Sequence, residues 1–271
     1  MQRTVFFVSD GTAITTETVG HSLLTQFPEI DCKQVRIPFV DNPEKARQAV
    51  GKIHRACVQD KATALVFLSI IDDQTRAEFY RSEAIVLDLF ADFMDTLEQA
   101  LGVSREPTVG RAHGLANSAR YEGRIEATNY ALTHDDGISL DYDSADLVLV
   151  GVSRSGKTPT CLYLALNFGV KSANYPLTQV DLENQRLPAS LRSHKDKIVG
   201  LMIDADRLAQ IRETRRPGTR YASLRQCHWE VDAAESLLRA QGIGVIHTTN
   251  SSIEEIASRI LAQTGMQREM F

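Results

Sequence analysis

Residues 151–158 of the chain, GVSRSGKT, have the residue types and spacing of a phosphate-binding loop. Four residues separate two glycines, and Lys157 and Thr158 follow the second glycine directly. In such a loop, backbone N–H groups face phosphate oxygens, the lysine neutralises their charge and the threonine hydroxyl holds Mg²⁺. The predicted nucleotide-binding residues are Gly151, Val152, Ser153, Arg154, Ser155, Gly156, Lys157 and Thr158. The pattern predicts a nucleotide site suited to phosphoryl transfer.

The residues on either side of the loop predict the elements that must position it. The apolar run LVLVGV at 147–152 predicts a buried strand, and TPTCLYLALNFG at 158–169 predicts a helix. Pro159 falls in the first turn of that helix, where a missing N–H costs little. The alternative is a chance match in a glycine-containing turn, but the flanking strand and helix favour a working phosphate site.

Two further groups could complete a site for phosphoryl transfer. Asp204 ends the predicted strand KIVGLMID and could hold Mg²⁺ together with Thr158. The simpler interpretation is that Asp204 is the N-cap of the next helix. Arg212, Arg215 and Arg216 lie in IRETRR and could form a basic lid over the phosphates. The alternative for these arginines is a solvated helix face.

The nucleoside and the phosphoryl acceptor would need their own contacts. Thr249 and Asn250 lie in TTNSS, a loop that could touch a base or cap the last helix. Asp135 and Asp136 end a predicted helix in THDDG, where two carboxylates oppose the helix dipole. Such local conflicts often mark function, so either carboxylate could be a general base or a Mg²⁺ ligand. The alternative is a polar turn.

Three residues in the first half could form a second phosphate site. Asp10 and Thr12 follow the first predicted strand, at the edge where open parallel sheets bind ligands. His113 lies in the polar segment RAHGL and could contact a phosphate or an acidic peptide. A lone histidine in such a segment is more often a surface residue.

The composition argues against several classes of protein. A net charge of −5 and a pI near 5.8 argue against a general binder of nucleic acid or membranes. The four cysteines form no CxxC pair, so neither a zinc site nor a disulfide framework is predicted. No apolar run is long enough to span a bilayer, and the N-terminal one is too short for a signal peptide. We expect a cytoplasmic protein.

The order of predicted elements is that of an α/β protein with two domains. Strands and helices alternate through the first third of the chain, which predicts a parallel sheet. We predict an N-terminal α/β domain at 1–105, a linker and connecting helix at 106–140, and a P-loop kinase-like α/β domain at 141–271. One long helix is predicted at 78–102, with apolar positions spread around it. It could pack on a second subunit in a homodimer or lie in the core of its own domain.

Several longer motifs together resemble one known family. VSDGT, RIEATNYALTHDDG, GVSRSGKTPTCLYLALNFGVKSANYPL, GLMIDADRLAQIRETRR, RYASLRQC and TNSSIEEIA occur in this order. They are similar to the regulatory proteins of bacterial phosphoenolpyruvate synthase and plant pyruvate,phosphate dikinase. The resemblance covers essentially the whole chain and is most specific in its second half, where THDDGISL and RYASLRQC point to the synthase branch.

The resemblance implies a bifunctional enzyme. Such proteins use ADP to phosphorylate a threonine of the synthase, which inactivates it, and use inorganic phosphate to remove that group as pyrophosphate. The family places ADP at residues 151–158, and this chain keeps the loop intact, Arg154 included. The predicted catalytic residues are Lys157, Arg154, Asp135 and Asp136. The predicted ligands are ADP, inorganic phosphate and Mg²⁺, and the predicted protein substrate is phosphoenolpyruvate synthase.

Two other functions are compatible with the residues themselves. A small-molecule P-loop kinase would use the arginine lid and the TTNSS loop but would not need the N-terminal domain. A nucleotide-gated regulator would bind its partner without any chemistry. Covalent label on the synthase after incubation with labelled ADP would distinguish a protein kinase from both.

Overall fold

The computed structural model describes residues 3–105 and 118–266. The chain divides into two compact units, Met1–Gly114 and Leu115–Phe271, and each contains a four-stranded parallel sheet. The predicted α/β class is confirmed. The strand order is the same in both sheets, with the first strand of the unit lying between the second and the third.

The N-terminal unit alternates strands and helices. Its strands are β1 (Arg3–Ser9), β2 (Cys32–Ile37), β3 (Leu65–Ser69) and β4 (Ile85–Asp88), and its helices are α1 (Ile14–Leu24), α2 (Pro43–Asp60), α3 (Asp73–Tyr80) and α4 (Ala91–Leu101). Side chains alternate across β1, so that Phe6 packs with α2 on one face and Phe7 packs over α1 on the other. Both central strands, β1 and β3, are therefore apolar and almost wholly buried.

The single helix predicted at 78–102 is wrong. The structure has the end of α3, the strand β4 and the helix α4 in this segment. β4 pairs in parallel with β3, from Ile85 opposite Leu65 to Asp88 opposite Leu68. The apolar residues of AIVLDLF suit a strand as well as a helix, and pairing with a strand distant in sequence decides between them. The homodimer was inferred from that helix and stays a prediction without this support.

The C-terminal unit contains the predicted phosphate loop. Its strands are β5 (Leu147–Gly151), β6 (Ser172–Pro176), β7 (Ile198–Met202) and β8 (Val245–His247), and its helices are α5 (Ser118–Thr133), α6 (Lys157–Phe168), α7 (Gln179–Asn184), α8 (Ala189–Arg192), α9 (Ala205–Arg215), α10 (Leu224–Ala240) and α11 (Ile253–Thr264). Ser252 and Glu255 form the predicted capping box of α11. Within the described ranges, no helix combines the length and apolarity needed to cross a membrane.

β5 lies inside the second sheet, with β6 on one side and β7 on the other, and all of its residues are buried. Val148 and Val150 face a core formed with α9 and α10, whereas Leu147 and Leu149 face a core formed with α5, α6 and α11. Helix α5 falls within the segment 106–140 but packs on α6 and belongs to the C-terminal unit. This packing places the loop at the carboxyl end of a buried parallel strand, where open sheets bind ligands.

Candidate active site around the phosphate loop

The loop at 151–158 connects β5 to α6, as the motif requires. Arg154 and Gly156 have left-handed φ angles of 76° and 92°. Left-handed residues that alternate with ordinary ones turn successive N–H groups to one side, as in anion-binding nests. Gly156 precedes α6 and brings no capping side chain, so the first N–H groups of the helix can face an anion.

Gly151 lies too close to β7 for any side chain. A Cβ at this position would overlap the Leu201 carbonyl oxygen and would lie 3.0 Å from Ser155 Oγ. We expect Gly151→Ala to lower the free energy of unfolding by about 1–3 kcal/mol, as overpacking does elsewhere. Urea denaturation measures this loss. Gly123→Ala is the control, because nothing lies within 4 Å of its added Cβ in α5. The control should be neutral or stabilising by about 0.5–1 kcal/mol, and an equal result for both variants would contradict the close approach.

Lys157 turns back into the loop. Its Nζ donates a hydrogen bond of 2.8 Å to the Val152 carbonyl oxygen, and the residue is only 4% exposed. Burial lowers the pKa of Lys157 to about 8, an effect that the carboxylates of Asp136 and Asp135 oppose. The loop therefore holds the lysine through a backbone carbonyl, a partner that a phosphate oxygen could replace.

A carboxylate and a hydroxyl meet beside the loop. Thr158 Oγ1 donates a hydrogen bond of 2.7 Å to Asp135 Oδ1, and Asn174 Nδ2 donates to the same oxygen. Asn174 Nδ2 also lies 3.4 Å from Thr158 Oγ1. The structure thus brings the predicted acceptor-side carboxylate to the predicted metal-binding threonine, although the two are far apart in sequence.

Asn174 is a site residue that the sequence analysis does not identify. It is 1% exposed in β6, the strand next to β5. The Asn174 side-chain Oδ1 accepts a hydrogen bond of 3.0 Å from the Asp136 N–H, and the Asn174 backbone N–H donates to the His134 carbonyl oxygen at 3.1 Å. A polar residue inside the strand pattern VKSANYPL is the signal that could have indicated it, because buried polar groups require partners.

Asp136 occupies the 3₁₀ turn Asp135–Gly137 that follows α5. Its φ of 47° is uncommon for a residue other than glycine, and the hydrogen bond to Asn174 holds it there. The Asp136 side chain is exposed, whereas that of Asp135 is half-buried. The turn therefore presents two carboxylates in different environments beside one loop.

The three arginines of the predicted lid lie in different environments. Arg212 is 0% exposed, and its Nη2 donates to the Ser153 carbonyl oxygen at 3.1 Å and to Glu230 Oε2 at 2.6 Å. Burial acts to lower the pKa of Arg212, but Glu230 outweighs it and raises this pKa above its ordinary value. Arg215 and Arg216 are exposed. Arg212 is thus a buried contact of the loop and not part of an exposed lid, while a lid role for the other two stays a prediction.

The loop after β8 lies against the N-terminus of α9. Asp204 occupies the N-cap position of α9, but its exposed side chain makes no capping hydrogen bond. Its N–H donates to Thr249 Oγ1 at 2.9 Å, and the neighbouring Thr248 donates from Oγ1 to the Ser155 carbonyl oxygen at 3.2 Å. Asn250 is exposed. This loop is therefore linked to the phosphate loop through Thr248, and base contacts of Thr249 and Asn250 stay a prediction.

The residues predicted for a second phosphate site belong to the first half of the chain. Asp10 accepts a hydrogen bond of 2.8 Å from the Ile71 N–H, and burial raises the pKa of Asp10. Thr12 Oγ1 accepts a long hydrogen bond of 3.5 Å from the Ile14 N–H. His113 lies outside the described residues. A second site at Asp10 and Thr12 stays a prediction.

Mg²⁺ is the metal that the loop pattern implies, and the side chains at Thr158 fit it. In the described part of the chain, no group of three or more His, Cys, Asp or Glu side chains could hold a metal. Mg²⁺ does not need such a group, because it commonly binds one or two protein oxygens together with substrate phosphates. The Thr158 hydroxyl donates its hydrogen bond to Asp135, which leaves the lone pairs of Oγ1 for a cation. Asp204 shares no hydrogen bond with the described loop residues through its side chain.

Known proteins resemble this chain over its whole length. The model of the Kinase/pyrophosphorylase family matches residues 5–261. A protein of Stenotrophomonas maltophilia (strain R551-3) named "Putative phosphoenolpyruvate synthase regulatory protein" is 52% identical over 269 residues, which are 99% of this chain and 98% of that protein. A protein of the same name from Hahella chejuensis (strain KCTC 2396) is 47% identical over 271 residues, 100% of both chains. The chain therefore belongs to the Kinase/pyrophosphorylase family.

Proposed function

We propose that the protein is a bifunctional regulator of phosphoenolpyruvate synthase. In one reaction it transfers a phosphoryl group from ADP to a threonine of the synthase and inactivates that enzyme. In the other it transfers this group from phosphothreonine to inorganic phosphate, which reactivates the synthase and releases pyrophosphate. The family description supports the two kinds of reaction, and the names of the relatives support the target.

One observation carries the proposal, the meeting of the phosphate loop with Asp135 at Thr158. A phosphate loop alone accounts only for binding. A carboxylate held beside the loop adds a group that can take the proton of an acceptor hydroxyl. The combination suits transfer of a phosphoryl group to an alcohol such as threonine.

The two reactions have a pair of phosphates in common. In phosphorylation, threonine Oγ attacks the β-phosphorus of ADP, the bond to the bridging oxygen breaks, AMP leaves and the hydroxyl proton is released. In removal, an oxygen of inorganic phosphate attacks the phosphorus of phosphothreonine, the bond to Oγ breaks and Oγ takes up a proton. Because pyrophosphate is ADP without its adenosine, one loop can hold the phosphate pair in both reactions.

Each side chain of the site has a separate role in the two reactions. Lys157 exchanges the Val152 carbonyl for phosphate oxygens and stabilises the charge of the transferred group, together with the N–H groups of the loop. Asp135 takes the threonine proton in phosphorylation and returns it in removal. Thr158 and Asn174 both bind Asp135 Oδ1 and so orient the carboxylate. When bound at Thr158, Mg²⁺ supplies further neutralisation of the phosphate charge.

Labelled ADP tests the proposal. The protein is incubated with purified phosphoenolpyruvate synthase and ADP labelled in its β-phosphate. We expect label on a threonine of the synthase, AMP as the second product and loss of synthase activity, followed by release of labelled pyrophosphate when inorganic phosphate is added. Label only in a small molecule would indicate a small-molecule kinase. Inhibition of the synthase without label would indicate nucleotide-gated binding, and either result would reject the proposal.

The affinity for ADP should fall as the pH rises above about 8. The ammonium form of Lys157 binds phosphate, and the pKa of this group in the free protein is about 8. Above that pH, binding must first protonate the lysine, which costs up to about tenfold in affinity per pH unit. Titration calorimetry in buffers of different ionisation enthalpy should show proton uptake on ADP binding near pH 9, roughly one unit above that pKa. Lys157→Met should show no such uptake, and equal uptake in both proteins would assign the proton to another group.

A further inference from the structure

Two side chains from outside the phosphate loop hold Ser153. Arg212 of α9 donates from Nη2 to the Ser153 carbonyl oxygen at 3.1 Å. The Tyr221 hydroxyl lies 3.1 Å from Ser153 Oγ, and either oxygen can be the donor. One residue of the loop is therefore held through its backbone and through its side chain at the same time.

Arg212 and Tyr221 also contact each other directly. Arg212 Cζ lies 4.1 Å from the centre of the Tyr221 ring, and Arg212 Nη1 donates to the Tyr221 carbonyl oxygen at 3.1 Å. Glu230 of α10 forms the ion pair that compensates the buried charge of the guanidinium. Because the guanidinium has no exposed surface, it cannot turn away from Ser153 without giving up several of these contacts.

The contact between Arg212 and Ser153 sets the direction of a peptide group in the loop. In a trans peptide the C=O of one residue and the N–H of the next point in opposite directions. The Ser153 carbonyl points to Arg212, so the Arg154 N–H points away from it. Arg154 also has the left-handed φ of 76°, a conformation that persists in a residue other than glycine only when its surroundings hold it.

We propose that Arg212 and Tyr221 are positioning residues, which hold the 153–154 peptide in the orientation that the loop needs to bind a phosphate pair. They act through Ser153 and do not touch the ligand. The inference rests on the proposed function, since it deepens the account of the same phosphate site. It also gives a role to an arginine that is buried and therefore not part of an exposed lid.

Tyr221→Phe tests the proposal with little disturbance, because it removes the hydroxyl and keeps the ring that Arg212 covers. We expect pyrophosphate and ADP, each titrated with Mg²⁺ into the full-length protein, to bind about 3- to 10-fold more weakly, the effect of one lost hydrogen bond. Tyr80→Phe is the matched control. It removes a hydroxyl that donates to Asp88 at 2.8 Å in the N-terminal unit. The control should lower the melting temperature to a similar extent and leave both affinities unchanged.

A double-mutant cycle shows whether the effect passes through Ser153. In a Ser153→Ala background, Tyr221→Phe should cause no further loss of affinity. Full additivity of the two losses would contradict the proposal. Arg212→Lys should weaken binding by about tenfold or more, because an ammonium cannot reproduce the fork of contacts that the guanidinium makes.

The outcomes separate this inference from the function on which it rests. If the wild-type protein binds both ligands and Tyr221→Phe binds them equally well, the positioning role is overturned and the phosphate site is not. If the wild-type protein binds neither pyrophosphate nor ADP, the phosphate site itself is rejected and this inference with it.

Discussion

Lys157→Met is expected to reduce both ADP-dependent phosphorylation of phosphoenolpyruvate synthase and its phosphate-dependent reversal by about 100-fold or more, the loss typical of removing one preorganised charge or donor from a transition state. Both reactions move a phosphoryl group of the same charge, and Lys157 is the ammonium inside the loop. Methionine has a similar length without the charge. Because the lysine is nearly fully buried, its replacement by an apolar side chain should not prevent folding.

Both reactions must be assayed on the same preparation of the variant. Lys195→Met removes an exposed lysine from the same unit and should leave both rates unchanged. Full retention of phosphate-dependent removal in Lys157→Met, with loss of phosphorylation, would contradict a shared loop. Removal would then need a second phosphate site, for which Asp10 and Thr12 are the candidates.

Asp135→Asn is expected to lower the rate of phosphorylation by about 10²–10⁴-fold, the usual contribution of a general base. Asparagine keeps an oxygen that can accept the Thr158 hydroxyl but cannot take a proton from threonine. The loss should therefore appear in kcat, while the affinity for ADP changes little. Stopped-flow or quench assays with β-labelled ADP give the rate, and calorimetry gives the affinity.

Asp136→Asn is the matched control for Asp135→Asn, because it removes the adjacent carboxylate from the same turn. Its side chain is exposed, and its carboxylate supports the charged form of Lys157. We expect a smaller loss of rate for this variant. A larger loss for Asp136→Asn than for Asp135→Asn would assign the base to Asp136.

The strand, loop and helix at 147–168 could be predicted from the sequence because their determinants are local. A buried strand, two glycines at the required spacing and a helix with proline in its first turn are contiguous, and the structure places β5, the loop and α6 there. Backbone freedom at glycine and the dipole of a helix N-terminus do not depend on distant residues. Asp135 and Asp136 were also predicted from a local signal, the conflict between carboxylates and a helix C-terminus.

Strand β4 could not be predicted in the same way. The segment AIVLDLF is compatible with the periodicity of a strand and with that of a helix. Its partner strand β3 is separated from it in sequence by α3. The two sheets nevertheless share one strand order. Pairing energy comes from strands that meet only in the folded chain.

The sequence by itself determined that a strand, a loop with the phosphate-binding pattern and a helix follow one another in an α/β protein, and it indicated one lysine, one threonine and two carboxylates as candidates for the site. Only the tertiary structure decided what these groups touch. Because β6 pairs with β5, Asn174 and the turn at Asp135 lie next to Thr158. Because α9 and α10 pack together, Arg212 is a buried contact of Ser153 and not an exposed lid residue. Local backbone chemistry is encoded in neighbouring residues, whereas burial and hydrogen-bond partners depend on side chains that only packing around the sheet brings together.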